Sequence, residues 1–233
     1  MTDDSGGAAA GTFETLVFCT SYVRSRGEWS ARYARWIAHH RALPFTRPLL
    51  CLIDDGSPYV PADGSVRVAD AAQPLPDAPA VPLLVRFAGR LGRAAVDDYP
   101  GWWRSFLFSE VVARRYGCTR IVHVESDAYV LTRRMVDFIS ARRNGWTAFW
   151  CPRWHFPETG IQVVCADRFD AMRALREAGS AGFAGQYAER VLPFTDVVRD
   201  PHGNRYGEFR AKIPGFADFA MQVTPAHKVW FRD

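Results

Sequence analysis

At 233 residues, with 48% hydrophobic and 14% aromatic side chains, the chain can bury a full core and is neither disordered nor fibrous in composition. Its formal net charge of +4, spread among mixed acids and bases, is too small for a nucleic-acid binder and leans slightly towards a phosphorylated small molecule. No stretch is apolar for long enough to span a membrane, and the opening MTDDSGGAAAGTFE lacks the apolar core of a secretion signal.

The five cysteines show no CxxC and no paired spacing, so reduced, mostly buried thiols are expected. The basic residues are nearly all Arg, with Lys212 and Lys228 the exceptions, which suits GC-rich coding better than a function. A cytoplasmic, bacterial protein is the resulting expectation, any contact with a lipid-linked partner being peripheral to the membrane.

Residues 1–12 read as a disordered tail, and 13–233 as one domain. ETLVFCTSY (14–22), rich in β-branched and aromatic residues, is a first strand. In GEWSARYARWIAHHRAL (27–43), Trp29, Tyr33, Trp36, Ile37 and His40 recur at helical spacing, and Pro44 and Pro48 close the helix. PLLCLIDDGS (48–57) is a second strand stopping at two aspartates and a turn. The Pro- and Ala-rich stretch 58–80 is a surface loop that carries a short edge strand at GSVRVA, before a third strand at VPLLVRF (81–87).

GWWRSFLFSEVVARRYG (101–117) predicts a helix closed by Gly117, followed by a strand at TRIVHVESD (119–127) and a helix at RRMVDFISARR (133–143). Strands at GWTAFWC and GIQVVCADR flank a Pro- and aromatic-rich loop, and DRFDAMRALREAG is a helix with Asp167 as its N-cap. The chain beyond about 180 is less periodic. This alternation defines an α/β protein with a mainly parallel central sheet flanked by helices, whose ligands bind beyond the carboxyl ends of the strands.

Two acidic clusters, Asp54-Asp55 and Glu125-Ser126-Asp127, fall at such ends and so share one edge. Mg²⁺ or Mn²⁺ takes one or two carboxylates and completes its shell with phosphate oxygens. A carboxylate pair set between the apolar runs IVHV and AYVL suits that role, and an ordinary solvated strand end is the alternative. His123 shares strand parity with Glu125, but no His/Cys cluster supports zinc.

The stretch GWWRSFLFSEVVARRYGCTRIVHVESDAYVL resembles the core of metal-dependent, nucleotide-sugar glycosyltransferases of the GT-A fold, with an aromatic-basic helix start, a strand and an Asp-x-Asp-like triplet. LVFCTSY, LCLIDDGS and ETGIQVVCADRFDAM are similar to the other landmarks of that fold, so the resemblance covers about residues 14–178. It implies a GT-A-like, Rossmann-like domain, with a nucleotide-binding part over about 13–131 and an acceptor part over about 132–233. It also implies transfer of a sugar from a UDP- or GDP-linked donor to a hydroxyl of a glycan or glycolipid, with Mn²⁺ or Mg²⁺ as cofactor.

By the same resemblance Asp127 ligates the metal, joined by Glu125, which stands where the family most often has Asp and so also faces the donor ribose. Asp54 and Asp55 hold the nucleoside and Arg104 the diphosphate. Glu158, in the loop before GIQVV, is the first choice for catalytic base and Asp218 the second. His227 is a further metal ligand, with His202 behind it, and the aromatics of 150–156 form an acceptor wall. Two alternatives stay open: a non-catalytic nucleotide-sugar or carbohydrate-binding module with a degenerate site, and a sugar nucleotidyltransferase, although CTSYVRSRGEW lacks the glycine pattern of the latter. FAGRLGRAA (87–95) lacks G-x-G-x-x-G, and no G-x-x-x-x-G-K-[ST] occurs, which excludes dinucleotide and P-loop sites.

Overall fold

The computed structural model describes residues 13–233, so the tail predicted over 1–12 lies outside the described residues. Strand β1 (Thr15–Ser21) leads into helix α1 (Arg26–Glu28), a π-helical turn (Trp29–Ala34) and helix α2 (Arg35–Arg41). Next come β2 (Pro48–Asp54), β3 (Arg67–Asp70), β4 (Leu83–Arg86), α3 (Pro100–Arg115), β5 (Arg120–Val124), β6 (Tyr129–Val130) and α4 (Arg133–Ala141). The chain continues through β7 (Trp146–Cys151), β8 (Phe156–Cys165), α5 (Phe169–Ala178), α6 (Ala188–Val191), β9 (Asp196–Val198), β10 (Gly203–Asn204), α7 (Tyr206–Phe209) and β11 (Phe219–Ala220).

Eight strands form one sheet in the order β3-β4-β2-β1-β5-β8-β7-β9, and β10-β11-β6 form a small second sheet. Within the large sheet β8 alone runs against the rest, antiparallel to both β5 and β7. The mainly parallel α/β architecture expected from the alternation is therefore what the chain adopts. No helix among the described residues is long and apolar enough to cross a membrane.

Alternate residues of each strand supply the two faces of the sheet. Val17 and Cys19 pack with Trp29, Tyr33, Trp36, Met135 and Ile139 on the face covered by α2 and α4. Leu16 and Phe18 pack with Trp103, Phe106, Phe169 and Met172 on the face covered by α3 and α5. Burial on both faces explains why β1, β2 and β5 read as continuous apolar runs rather than alternating ones.

Gly117 ends α3 as predicted: its φ of +69° is the left-handed conformation a Cβ disfavours. The Gly117 and Cys118 amides donate to Arg114 O (3.2 Å) and Ala113 O (2.9 Å), the paired bonds of a Schellman cap. Asp167 is not the N-cap of α5; that position is Arg168, and Asp167 instead accepts the Gly145 amide at 2.9 Å, bracing the start of β7. The predicted loop before GIQVV is also corrected. FPETG is the first half of β8, paired with β7 across a register shift at Ala148/Phe149.

Candidate functional site

β1, β2 and β5 end side by side at Ser21, Asp54 and Val124. Beyond them opens a cleft of about 570 Å³, walled by the loop after β4, the start of α3, β8 and α6. The triplet follows β5 as a tight turn: the Ala128 amide donates to Glu125 O and the Glu125 amide to Gly160 O, both at 2.8 Å. Val223 donates to Asp127 O at 2.8 Å, so the main chain of the triplet is fixed by its own turn and by two separate segments, at Gly160 and Val223.

Both carboxylates of the triplet face the cleft. Asp127 Oδ2 accepts from Arg32 Nη2 at 3.1 Å, whereas Asp127 Oδ1 is buried with no hydrogen-bond partner. Burial outweighs Arg32 and holds the Asp127 carboxyl above its ordinary range. The Glu125 carboxylate has no hydrogen bond or ion pair within the described residues. Burial first, then the charges of Asp127, Glu158 and Glu189, push it up to about 8.

A divalent cation that prefers oxygen ligands fits this pair: two close carboxylates, one with an oxygen lacking any partner. Among the described residues no group of three or more His, Cys, Asp or Glu is arranged to hold a metal. A cation at the triplet would thus take its remaining ligands from substrate oxygens or water, the usual habit of Mg²⁺.

Glu158 also reaches the cleft, although from a strand rather than from a loop. It is 5% exposed, raised by burial, and paired with Arg205 Nη1 at 2.9 Å. Asp55 lines the cleft too, but its carboxylate is fully used by the protein. Oδ1 accepts from the Leu91 amide (3.2 Å) and from Arg104, and Oδ2 from the Gly92 amide (2.7 Å), so Asp55 shapes the 89–92 loop.

The other predicted site residues lie away from the cleft. Asp54 turns beneath it and accepts from the Ser57 amide (2.7 Å), the Ser57 hydroxyl and the Ser21 hydroxyl (3.3 Å), a capped turn in place of a nucleoside contact. Arg104 bonds Asp55 and Gly89 O (2.6 Å) and stacks 4.0 Å from the Phe87 ring centre. Asp218 is not a second base: it is buried and takes hydrogen bonds from Thr132 Oγ1 (2.7 Å), Arg134 Nη1 (2.8 Å) and the His202 amide (2.8 Å). His227 is not placed as a metal ligand, because Thr224 engages Nδ1 and Arg210 O engages Nε2 at 2.8 Å. His202 lies beside Phe216, with ring centres 5.6 Å apart. Of the aromatics in 150–156, only Phe156 lines the cleft.

Four arginines of the cleft wall were missed: Arg32, Arg90, Arg93 and Arg205, together with Glu189. Arg90 sits 4.1 Å over the Tyr22 ring, and Arg93 is tied to Ala95 O (2.8 Å) and Val96 O (3.1 Å). Arg90 and Arg93 belong to FAGRLGRAA, where the two glycines between basic residues were a signal for a phosphate-facing loop outside the dinucleotide pattern. Arg32 was visible only as the polar neighbour of an apolar helix face. Glu189 and Arg205 fall in the aperiodic part of the chain and carried no local signal.

No family model matches this chain, and no curated protein matches it. Among solved structures it is similar to a glycosyltransferase involved in the glycosylation of the major capsid of PBCV-1, with a TM-score of 0.42 and 10% identity. The likeness covers 90% of this chain and 94% of that one. One so distant says nothing of the chemistry performed here.

Proposed function

We propose that this protein is a glycosyltransferase that uses a nucleoside-diphosphate sugar, UDP- or GDP-linked, and transfers the sugar to a hydroxyl of a glycan or glycolipid. One observation carries the reading. The cleft at the carboxyl ends of the parallel strands sets Glu125 and the partnerless Asp127 oxygen among four arginines. Carboxylates that invite a divalent cation and guanidiniums that suit phosphate oxygens then converge on one space, which is what a diphosphate with its counterion needs. The motifs quoted from the sequence add the GT-A resemblance.

Asp127 and Glu125 would hold Mn²⁺ or Mg²⁺, which when bound neutralises charge on the departing diphosphate. Arg32 and Arg90 would bind phosphate oxygens, Arg90 from its stacked position on Tyr22. Asp55 positions rather than binds, holding the 89–92 loop in register with the start of α3. Glu158 would take the acceptor proton as general base, its raised carboxyl being better suited to that task than an ordinary glutamate. The Glu158–Arg205 pair also favours a second reading, a nucleotide-sugar-binding module in which Glu158 is a structural ion-pair partner and not a base.

A thermal-shift screen of UDP-, GDP- and dTDP-sugars with and without Mn²⁺ tests the proposal. A shift specific to one nucleotide, dependent on metal and lost in Asp127→Ala, is expected. The same shift in Asp127→Ala, indifferent to chelator, sinks it. Slow donor hydrolysis that is lost in Glu125→Gln and Asp127→Ala separates the enzyme from the module, since binding alone releases no sugar.

A further inference from the structure

Arg32 stands out among the basic groups of the cleft, because it holds one oxygen of the carboxylate that a cation at the triplet would claim. Its Nη2 lies 3.1 Å from Asp127 Oδ2, while Asp127 Oδ1 and Arg32 Nε are both buried without hydrogen-bond partners. Half of a charge pair is satisfied on each side, so the pair is a holding contact and not a closed structural bridge. Arg205 cannot play this part, being committed to Glu158 at 2.9 Å and Glu208 at 2.7 Å.

The local backbone adds a second, independent observation. Arg32 lies in the π-helical turn Trp29–Ala34 that interrupts the helix between Arg26 and Arg41. Single π turns are rare and concentrate at functional sites. Tyr33 anchors the turn to the cleft wall: its hydroxyl accepts from the Tyr22 amide (3.1 Å) and donates to Tyr22 O (3.2 Å). The Arg32 side chain lines the cleft and is 40% exposed, so a ligand in the cleft can reach it.

A guanidinium and a divalent cation cannot share one carboxylate at close range without strong repulsion. Phosphate oxygens, by contrast, are good bidentate partners for the displaced guanidinium. We propose that Arg32 is the internal competitor of the divalent cation, holding Asp127 until a nucleoside diphosphate receives its guanidinium, so that metal binds tightly only together with nucleotide. This inference builds on the donor-binding reading above and adds an order to it. Metal alone meets an occupied carboxylate; nucleotide removes the occupant and brings its own ligands. Because the coupling is one of binding free energies, nucleotide affinity must rise with metal by the same factor.

The test measures Mn²⁺ binding directly, by the electron paramagnetic resonance signal of free Mn²⁺, without and with saturating UDP and, in parallel, GDP. Wild type is expected to bind Mn²⁺ weakly alone and roughly 5- to 150-fold more tightly with the preferred nucleotide, the usual span of linked binding. Arg32→Gln should tighten Mn²⁺ binding without nucleotide by roughly tenfold and shrink the coupling by the same factor. Arg32→Lys, which keeps the charge but loses the bidentate fork, should bind Mn²⁺ alone as wild type does yet show a smaller nucleotide coupling, and circular dichroism should show all variants folded.

If Arg32→Gln leaves Mn²⁺ affinity unchanged or weaker while Asp127→Ala abolishes it, the competition is refuted and the metal-dependent reading survives. If Asp127→Ala binds Mn²⁺ like wild type, or no variant binds it, the metal-dependent reading and this inference fall together.

Discussion

His123 lies on β5 directly beneath the triplet and is 0% exposed, boxed by Phe18, Phe106 and Trp102 at ring-centre distances of 4.9, 5.1 and 5.8 Å. Its Nδ1 donates to Thr159 O at 3.0 Å, and Nε2 is buried with no partner. Protonating Nε2 would bury a charge with nothing to meet it, so desolvation drives the ring from 6.5 down to about 3. The folded state therefore refuses a proton that the unfolded state accepts near pH 6.5. Stability from this group is fully present above 6.5 and is lost as pH falls towards the folded value.

Each pH unit costs ~1.4 kcal/mol, so the loss between pH 6.5 and 5 is ~2 kcal/mol. Glu125 contributes with the opposite sign. Its folded value of about 8 lies above the ordinary 4.5, so its contribution is complete below 4.5 and disappears as pH rises through 8. Wild-type slopes mix the two effects, and a comparison of variants separates them. In His123→Phe the Thr159 carbonyl keeps a donor, Gln162 Nε2 at 3.1 Å, and the ring volume is retained. Urea denaturation at pH 6.5, 6, 5.5 and 5 should show wild type losing ~2 kcal/mol more than His123→Phe over that window. Parallel stability curves for the two proteins would refute the reasoning, whatever their absolute offset.

Glu125→Gln should be more stable than wild type at pH 7.5 in chelator by ~2 kcal/mol, discounted for its partial exposure, with the gap closing near pH 4.5; urea denaturation at both pH values checks this. Stabilisation by removing a site residue is the expected signature of a group kept for function at a cost in stability. Gly101→Ala should destabilise by about 1–3 kcal/mol and abolish the nucleotide thermal shift, because its Cβ would lie 2.1 Å from Asp55 Oδ2 and expel the group that holds the 89–92 loop. Asp218→Ala should lower stability by about 1–3 kcal/mol in urea while leaving any nucleotide shift intact, since its three hydrogen bonds are structural.

Much of the fold was legible because burial acts locally. IVHV and LVFCTS are apolar without alternation, as strands covered on both faces must be, and the parallel sheet follows from their spacing by helices. Gly117 announced the end of α3 because only a residue without a Cβ sits comfortably at its φ of +69°. FPETG reads as loop from the sequence because it carries Pro and Gly, and only pairing with β7 across a register shift makes it strand.

The placement of Glu125 and Asp127 at a cleft was set by the sequence itself: an apolar strand of a covered sheet has to release its next polar residues at the carboxyl edge, where ligands bind. Which charges meet them there was decided by the tertiary structure alone. Asp54 and Asp55 are neighbours in the chain, yet one caps a buried turn and the other reaches across to the loop after β4. Arg32 meets Asp127 across 95 positions, and Arg205 meets Glu158 across 47. Such pairs depend on strand order and on the angle at which a helix passes a sheet edge, and no local periodicity records either.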